Sequence, residues 1–334
     1  MNRRAQGCRL RRSFAENAAS LPFLVPRFDL DRRPLRSRVA ILDANQYSEN
    51  LCQTLYEGLK LFDLDIAGKS VLLKPNLVDY IPGMHINTHP LLVAAAAEGF
   101  RRLGGRSVVV GEGPGHQRDT YLVLYQSGLL EQLSRVSVPF VDLNRDCVVK
   151  RKLRADYSGL HEIWLPRTIL EADFIVSMPK IKTHHWSGVT LSMKNMFGVV
   201  PGVKHGWPKN ILHWKGIEQC IVDICATVPI HFVIADGIVA MEGNGPLAGS
   251  PRNLSKLILG DDPVAVDATC ARLMGLDAER VSHIRESGRF LGNVSLGRIQ
   301  QLACSVTFPQ TSFDTVQEFV HLRARMNCSS PLHA

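Results

Sequence analysis

Between Lys180 and Lys215 the chain carries six of its twelve lysines (Lys180, Lys182, Lys194, Lys204, Lys209, Lys215) and four of its twelve histidines (His184, His185, His205, His213), without a single Asp or Glu. A run of like charge ordinarily marks a solvated face. Here it is interleaved with Trp186, Met193, Met196, Phe197, Val199, Val200, Trp207 and Trp214, apolar side chains that have reason to be buried or to cover a ligand. Cations beside apolar walls attract carboxylate or phosphate, so the segment reads as an anion-binding or catalytic loop. Lys180, Lys182 and Lys194 would clamp the anion. His184 or His185 would move protons, because an unperturbed imidazole titrates at about pH 6.5. Lys194 stands in an apolar context of Leu191, Met193, Met196 and Phe197 with no acid near it in sequence. An ammonium desolvated there either loses its proton, becoming a nucleophile or base, or recovers its charge by holding an anionic ligand.

Further polar groups stand directly after short apolar runs. Lys74-Pro75-Asn76 follows Leu73, Gly111-Glu112-Gly113-Pro114-Gly115-His116 follows Val110, and Asp236 follows Ala235. Gly111, Gly113 and Gly115 would let backbone N–H groups approach an anion, with Asp119 or Thr120 capping the next helix. An ordinary tight turn is the other reading, and His116 stands where a dinucleotide fingerprint has its last glycine. Glu242, in a glycine-rich loop, and Asp236 suit acid/base work or metal ligation; a solvated turn is the plainer reading for Glu242. Asp267 shares a helical face with Val264, Ala268 and Ala271, so its carboxylate points inward. There it must satisfy a backbone group or orient a lysine or histidine.

Short, non-alternating apolar runs are the mark of strands buried on both faces. They occur at Val39–Leu42, Val71–Leu73, Ser107–Val110, Pro139–Val141, Phe174–Ser177, Phe232–Ile234 and Leu257–Leu259. Helical periods fill Glu49–Phe62, His89–Leu103, Lys215–Thr227, Pro263–Met274, Ala278–Glu286 and Asp314–Arg323. Thr88 or His89 before Pro90, and Asp262 before Pro263, are start signals. The alternation predicts an α/β fold, an open, mostly parallel sheet with helices on both faces. Ligands of such sheets bind beyond the carboxyl ends of the strands, which is where these polar groups fall.

The formal charge of +8 is concentrated at one end: residues 1–38 hold ten Arg against Glu16, Asp29 and Asp31. The remainder is close to neutral, so no nucleic-acid partner is expected. No apolar run reaches the roughly 18–20 residues of a membrane span. The pattern divides the chain into a flexible Arg-rich extension (residues 1–36), an α/β domain over 37–326, in one piece or two lobes, and a tail (327–334). The extension is an untargeted arm, an organellar presequence, or, through Arg11-Arg12-Ser13-Phe14, a degenerate twin-arginine export signal. Without a signal the location is cytoplasmic. The eight cysteines form no C-x-x-C pair, so no iron–sulfur cluster is expected. Cys220 and Cys225 follow helical core spacing, and the compartment reads as reducing.

Val71-Leu-Leu-Lys-Pro-Asn-Leu-Val78, Pro179-Lys-Ile-Lys-Thr-His184, Ser187-Gly-Val-Thr-Leu-Ser-Met-Lys-Asn-Met-Phe-Gly198, Asp236-Gly-Ile-Val-Ala-Met-Glu-Gly-Asn-Gly-Pro-Leu-Ala-Gly249 and Asp262-Pro-Val-Ala-Val-Asp267 resemble the family known as domain of unknown function 362, across about residues 38–300. Some members of that family carry ferredoxin modules, for which this chain lacks the cysteines. His185, Ser187-Gly188, Lys194 and Pro201-Gly202 also resemble, in order, the N-terminal domain of nickel-pincer-nucleotide lactate racemases. That second resemblance implies a cofactor-attaching role for Lys194 and catalytic or metal-binding roles for His116, His184 or His185. The expected ligand is an anionic small molecule. The expected cofactor is phosphorylated or nucleotide-like, or a transition metal.

Overall fold

In the computed structural model, which describes residues 31–115, 117–306 and 311–324, all seven expected apolar runs are strands. Twelve strands occur among the described residues: β1 (Ser37–Asp43), β2 (Ser70–Pro75), β3 (Ser107–Glu112), β4 (Phe140–Asp142), β5 (Val148–Lys152), β6 (Glu162–Pro166), β7 (Phe174–Met178), β8 (Lys180–His184), β9 (Gly188–Thr190), β10 (Phe232–Asn244), β11 (Ala248–Gly260) and β12 (Ile299–Ala303). The main sheet runs β12-β1-β11-β10-β7-β2-β3-β4, with β8 pairing β10 and β9; β5 and β6 form a separate hairpin. Its pairings are parallel except β1 with β11, β10 with β11, and β8 with β9. The expected mostly parallel sheet is therefore present, with an antiparallel β10–β11 pair inserted at its centre.

Successive side chains of a strand point to opposite faces, and here both faces are apolar. Ile41, Leu72, Ile175, Val233 and Ile258 enter one core, shared with the helices Ile217–Thr227, Pro263–Leu273 and Ser282–Ser287. Their neighbours Ala40, Leu73, Val176, Ile234 and Leu259 enter the other, against the helices Leu51–Leu59, Pro90–Arg102, Thr120–Gln126 and Leu129–Arg135. Helices thus cover both faces, as the unbroken apolar runs require.

The start signals act as expected. The His89 side chain accepts from Leu91 N, Asp119 from Tyr121 N and Leu122 N, and Asp262 from Val264 N and Ala265 N. Cys220 and Cys225 are buried on the helix Ile217–Thr227, where burial pushes the Cys220 thiol up to about 12. Two helical expectations need correction. Ala278–Glu286 breaks at the extended Val281 into a 3-10 turn and a short helix, and Asp314–Arg323 shrinks to a 3-10 turn over Gln317–Leu322. His116, residues 1–30 of the arm and the tail from 327 lie outside the described residues. Arg32 N bonds Phe290 O, and Asn293 Nδ2 bonds Pro34 O. The last residues of the arm therefore already touch the body.

Candidate functional site

At the carboxyl ends of β2, β3 and β8 lies a cleft of about 270 Å³. Lys74, Asn76, Glu112, Gly113, Gly115, Lys182, His184, His185, Lys194 and Lys209 are among the residues that line it. The basic segment does not reach it as a loop: it begins as the buried strand β8, which pairs with β10 at Asp236↔Lys180 and Met241↔Lys182. Alternation along β8 puts Lys180, Lys182 and His184 on one face.

Lys74 is fully buried in an ion pair with Glu112; its Nζ also donates to Asn195 Oδ1 (3.0 Å) and Pro75 O (3.0 Å). Glu112 in turn accepts from Gly113 N (2.7 Å) and Leu77 N (3.3 Å). Lys209 is fully enclosed and donates to Gly113 O (2.9 Å) and Phe197 O (2.7 Å). Its backbone stands at φ +65°, a left-handed conformation seldom taken by a lysine. Lys182, also fully buried, donates to Ile86 O (2.9 Å). Lys194 is half-buried; its Nζ lies 4.1 Å from the centre of the Phe197 ring and has no hydrogen-bond acceptor among the described residues.

Four lysines thus face one carboxylate. Burial pushes all four below the ordinary lysine value, and the charges of neighbouring lysines add to the fall for three: Lys182 lies well below it, Lys194 at about 8 and Lys209 at about 7. For Lys209, Glu112 opposes the fall.

His184 and His185 carry opposite tautomers. His184 Nδ1 accepts backbone N–H bonds from Trp186 (3.0 Å) and Ser187 (3.3 Å), so its proton sits on Nε2. Burial and the Lys194 charge hold it well below 6.5, making it a neutral hydrogen-bond donor. His185 Nδ1 lies 2.7 Å from the Gly245 carbonyl and must donate to it, which leaves Nε2 with the basic lone pair. The rings stack at 5.1 Å.

The helix Ser192–Asn195 is aimed by Asp267, whose buried carboxylate accepts Ser192 N (2.7 Å) and Met193 N (3.0 Å). This is the inward, orienting carboxylate expected from the sequence; its partners are the backbone groups that precede Lys194. Burial raises Asp267 from 3.8 to about 7. A carboxyl raised in the folded chain contributes stability that is full below its unfolded value and is lost as pH rises through its folded value. Stability should therefore decline between about pH 4 and about pH 7 on this account, and Asp267→Asn should flatten the decline. Urea titrations of both proteins across that window check it; parallel curves would assign the pH dependence to other groups.

Other expected residues stand apart from the cleft wall. Lys180 and Asp236 are fully buried in a pair (2.6 Å), joined by Tyr47 OH and His89 N on the carboxylate and by Val239 O on the ammonium. Glu242 accepts Asp314 N (3.1 Å) and faces Arg252 (3.6 Å). Gly111 packs between Leu72 and Leu143, whereas Gly113 is needed where the chain passes Gly198 O, which an added Cβ would approach to 2.9 Å. Glu112, Lys209, Thr190 and Asn195 line the cleft without having been singled out as site residues. Only Glu112 had a positional signal, directly at a strand end. Asn76 Oδ1 and Thr190 Oγ1 are buried there without a partner. No three His, Cys, Asp or Glu side chains among the described residues gather to hold a metal ion. No helix among them is long and apolar enough to cross a membrane.

A thylakoid-associated protein of Synechocystis sp. is 29% identical to this chain over 251 residues, 72% of each. Among solved structures, a Thermotoga maritima protein matches 69% of this chain and 59% of its own at 14% identity and a TM-score of 0.41. The lactate racemase apoprotein from Thermoanaerobacterium thermosaccharolyticum matches 69% of this chain and 56% of its own, at 13% identity and a TM-score of 0.40. The chain thus spans less than two thirds of either solved structure. Residues 71–272, more than half of its length, match the family described as domain of unknown function (DUF362), and the chain belongs to that family.

Proposed function

We propose that the cleft binds a small anionic molecule, through a carboxylate or phosphate group, and catalyses proton transfer on it. The observation that carries this reading is the imbalance of four lysines against one glutamate along one cleft. Desolvated cations without counter-charges cost stability that an anionic ligand would restore. Lys182, Lys194 and Lys209 hold the anion; His185 Nε2 takes the proton, and His184 Nε2–H donates to the oxygen on which charge develops. Asn76 and Thr190 supply polar contacts. The phosphate of a phosphorylated cofactor would suit the same lysines.

Calorimetric titration with inorganic pyrophosphate tests the binding half. Affinity should be highest below about pH 7 and fall as pH rises past about 8, because Lys209 and Lys194 lose their protons at about 7 and about 8. Binding that is flat across that range, or absent, would refute the assignment. His185→Gln separates an enzyme from a binding module. Solvent deuterium exchange at the carbon next to a carboxylate, followed by NMR over a panel of small carboxylic acids, should slow by about a hundredfold while pyrophosphate binding persists. A variant with unchanged exchange favours the second reading, a non-catalytic binder of nucleotides or organic acids. A nucleic-acid partner fits poorly with a cleft of about 270 Å³ and a near-neutral body. We place this chemistry in the cytoplasm: the six cysteines of the described residues are free thiols, as suits a reducing compartment.

A further inference from the structure

We infer that Lys194 is the nucleophilic amine of the cleft and that it forms a Schiff base with a small carbonyl compound bearing an anionic group, such as an aldehyde acid or a 2-oxo acid. The inference rests on the anion-binding reading of the cleft and adds the reacting carbon.

The four lysines differ in what their nitrogens already do. Lys74 is tied to Glu112, Asn195 and Pro75 O. Lys209 spends two hydrogens on carbonyls, and Lys182 is wholly enclosed and donates to Ile86 O. Lys194 alone is partly open to the cleft and has no acceptor among the described residues. Its aliphatic stem lies on a short helix fixed by Asp267, and its nitrogen sits over the Phe197 ring. When it is neutral, no hydrogen-bond donor among the described residues is found on its lone pair. The neutral form is accessible near neutral pH, since burial and Lys74 push Lys194 down to about 8.

The chemistry balances without an oxidant or a further reactant. The amine lone pair attacks the carbonyl carbon, a C–N bond forms, and the carbonyl oxygen takes up a proton. The nitrogen pair then expels that oxygen as water, which leaves with the two amine hydrogens, and a C=N bond remains. His184 Nε2–H is suited to the oxygen and His185 Nε2 to the departing protons. Lys182 and Lys209 remain to hold the anionic group beside the reacting carbon, as effective proximity requires.

Glyoxylate with sodium cyanoborohydride, applied to the full-length protein and followed by peptide mass mapping, tests this. Reduction should fix an adduct on Lys194 on the order of a hundredfold faster than on the exposed Lys60 or Lys150, because lowering a lysine to about 8 raises its share of free amine at neutral pH by about that much. The rate should saturate with glyoxylate, rise with pH through about 8, be suppressed by pyrophosphate, and vanish in Lys194→Arg. The pH profile of the native protein keeps the test independent of whether the variant folds. Labelling that rises only near the ordinary lysine value, or that spreads evenly over exposed lysines, overturns the inference. Pyrophosphate binding with no Lys194 adduct overturns the Schiff base and leaves the anion reading standing; failure of both removes both.

Discussion

Lys194→Ala should abolish turnover, by at least about a hundredfold, while leaving the fold intact. Its nitrogen makes no hydrogen bond to the described residues, so truncation strands no buried partner there and gives up the contact with Phe197. Removing one of four crowded cations also relieves repulsion on Lys182, which burial first and then the Lys194 charge push down. Thermal unfolding should therefore be unchanged or slightly raised. Lys194→Arg should fail as well, because a planar guanidinium stays protonated and needs more room than a compact amine. Circular dichroism melts beside the deuterium-exchange assay decide it. If both variants remain active, Lys194 is an ordinary lysine resting on a phenylalanine.

Asp236→Ala should act in the opposite manner, destabilising the protein by about 3–5 kcal/mol with little effect on anion affinity in the fraction that stays folded. Three donors lose the carboxylate at once: Lys180 Nζ (2.6 Å), Tyr47 OH (2.7 Å) and His89 N (2.9 Å). The first is a fully buried ammonium, which burial already pushes down and which Asp236 alone opposes. Because an isolated buried charge accounts for most of the cost, the double variant Lys180→Met with Asp236→Leu should recover most of the stability. Urea midpoints of the two singles and the double measure it. Loss of pyrophosphate binding in folded Asp236→Ala would instead join this pair functionally to the cleft.

The contrast between these residues shows what the sequence could disclose. Short β-branched runs at Val71–Leu73 or Phe174–Ser177 are legible because a strand buried on both faces has no other composition. β8, Lys-Ile-Lys-Thr-His, is not, because its charged positions are buried by an ion pair and by the cleft rather than by apolar neighbours. β12, Ile-Gln-Gln-Leu-Ala, is hidden by its polarity, as the outermost strand of the sheet. The inward direction of Asp267 followed from helical spacing; its partners, Ser192 N and Met193 N, lie 75 and 74 positions away and follow from nothing local. Likewise, strand-end position brought Lys74, His184 and Lys194 to one wall but could not tell that Lys180 would be taken by Asp236, since that depends on the register of β8 against β10.

The place of β1 bears on how the chain is made. It lies between β11, with Val39 opposite Gly260, and β12, with Ala40 opposite Leu302. Both partners are more than two hundred residues downstream. At a ribosomal rate of about 5–20 residues per second, the first strand waits roughly ten to forty seconds before any neighbour emerges. Throughout that interval its Val-Ala-Ile-Leu stretch is an unpaired, apolar edge of the kind that recruits other chains. β2, β3 and β7, which neighbour one another in the folded sheet, are all made before β11, so β1 is enclosed only after they can pair. Expression yield should accordingly depend on chaperones that shield a nascent amino-terminal segment, and a permuted chain beginning at β2, with β1 joined after β12, should be less prone to aggregate during synthesis.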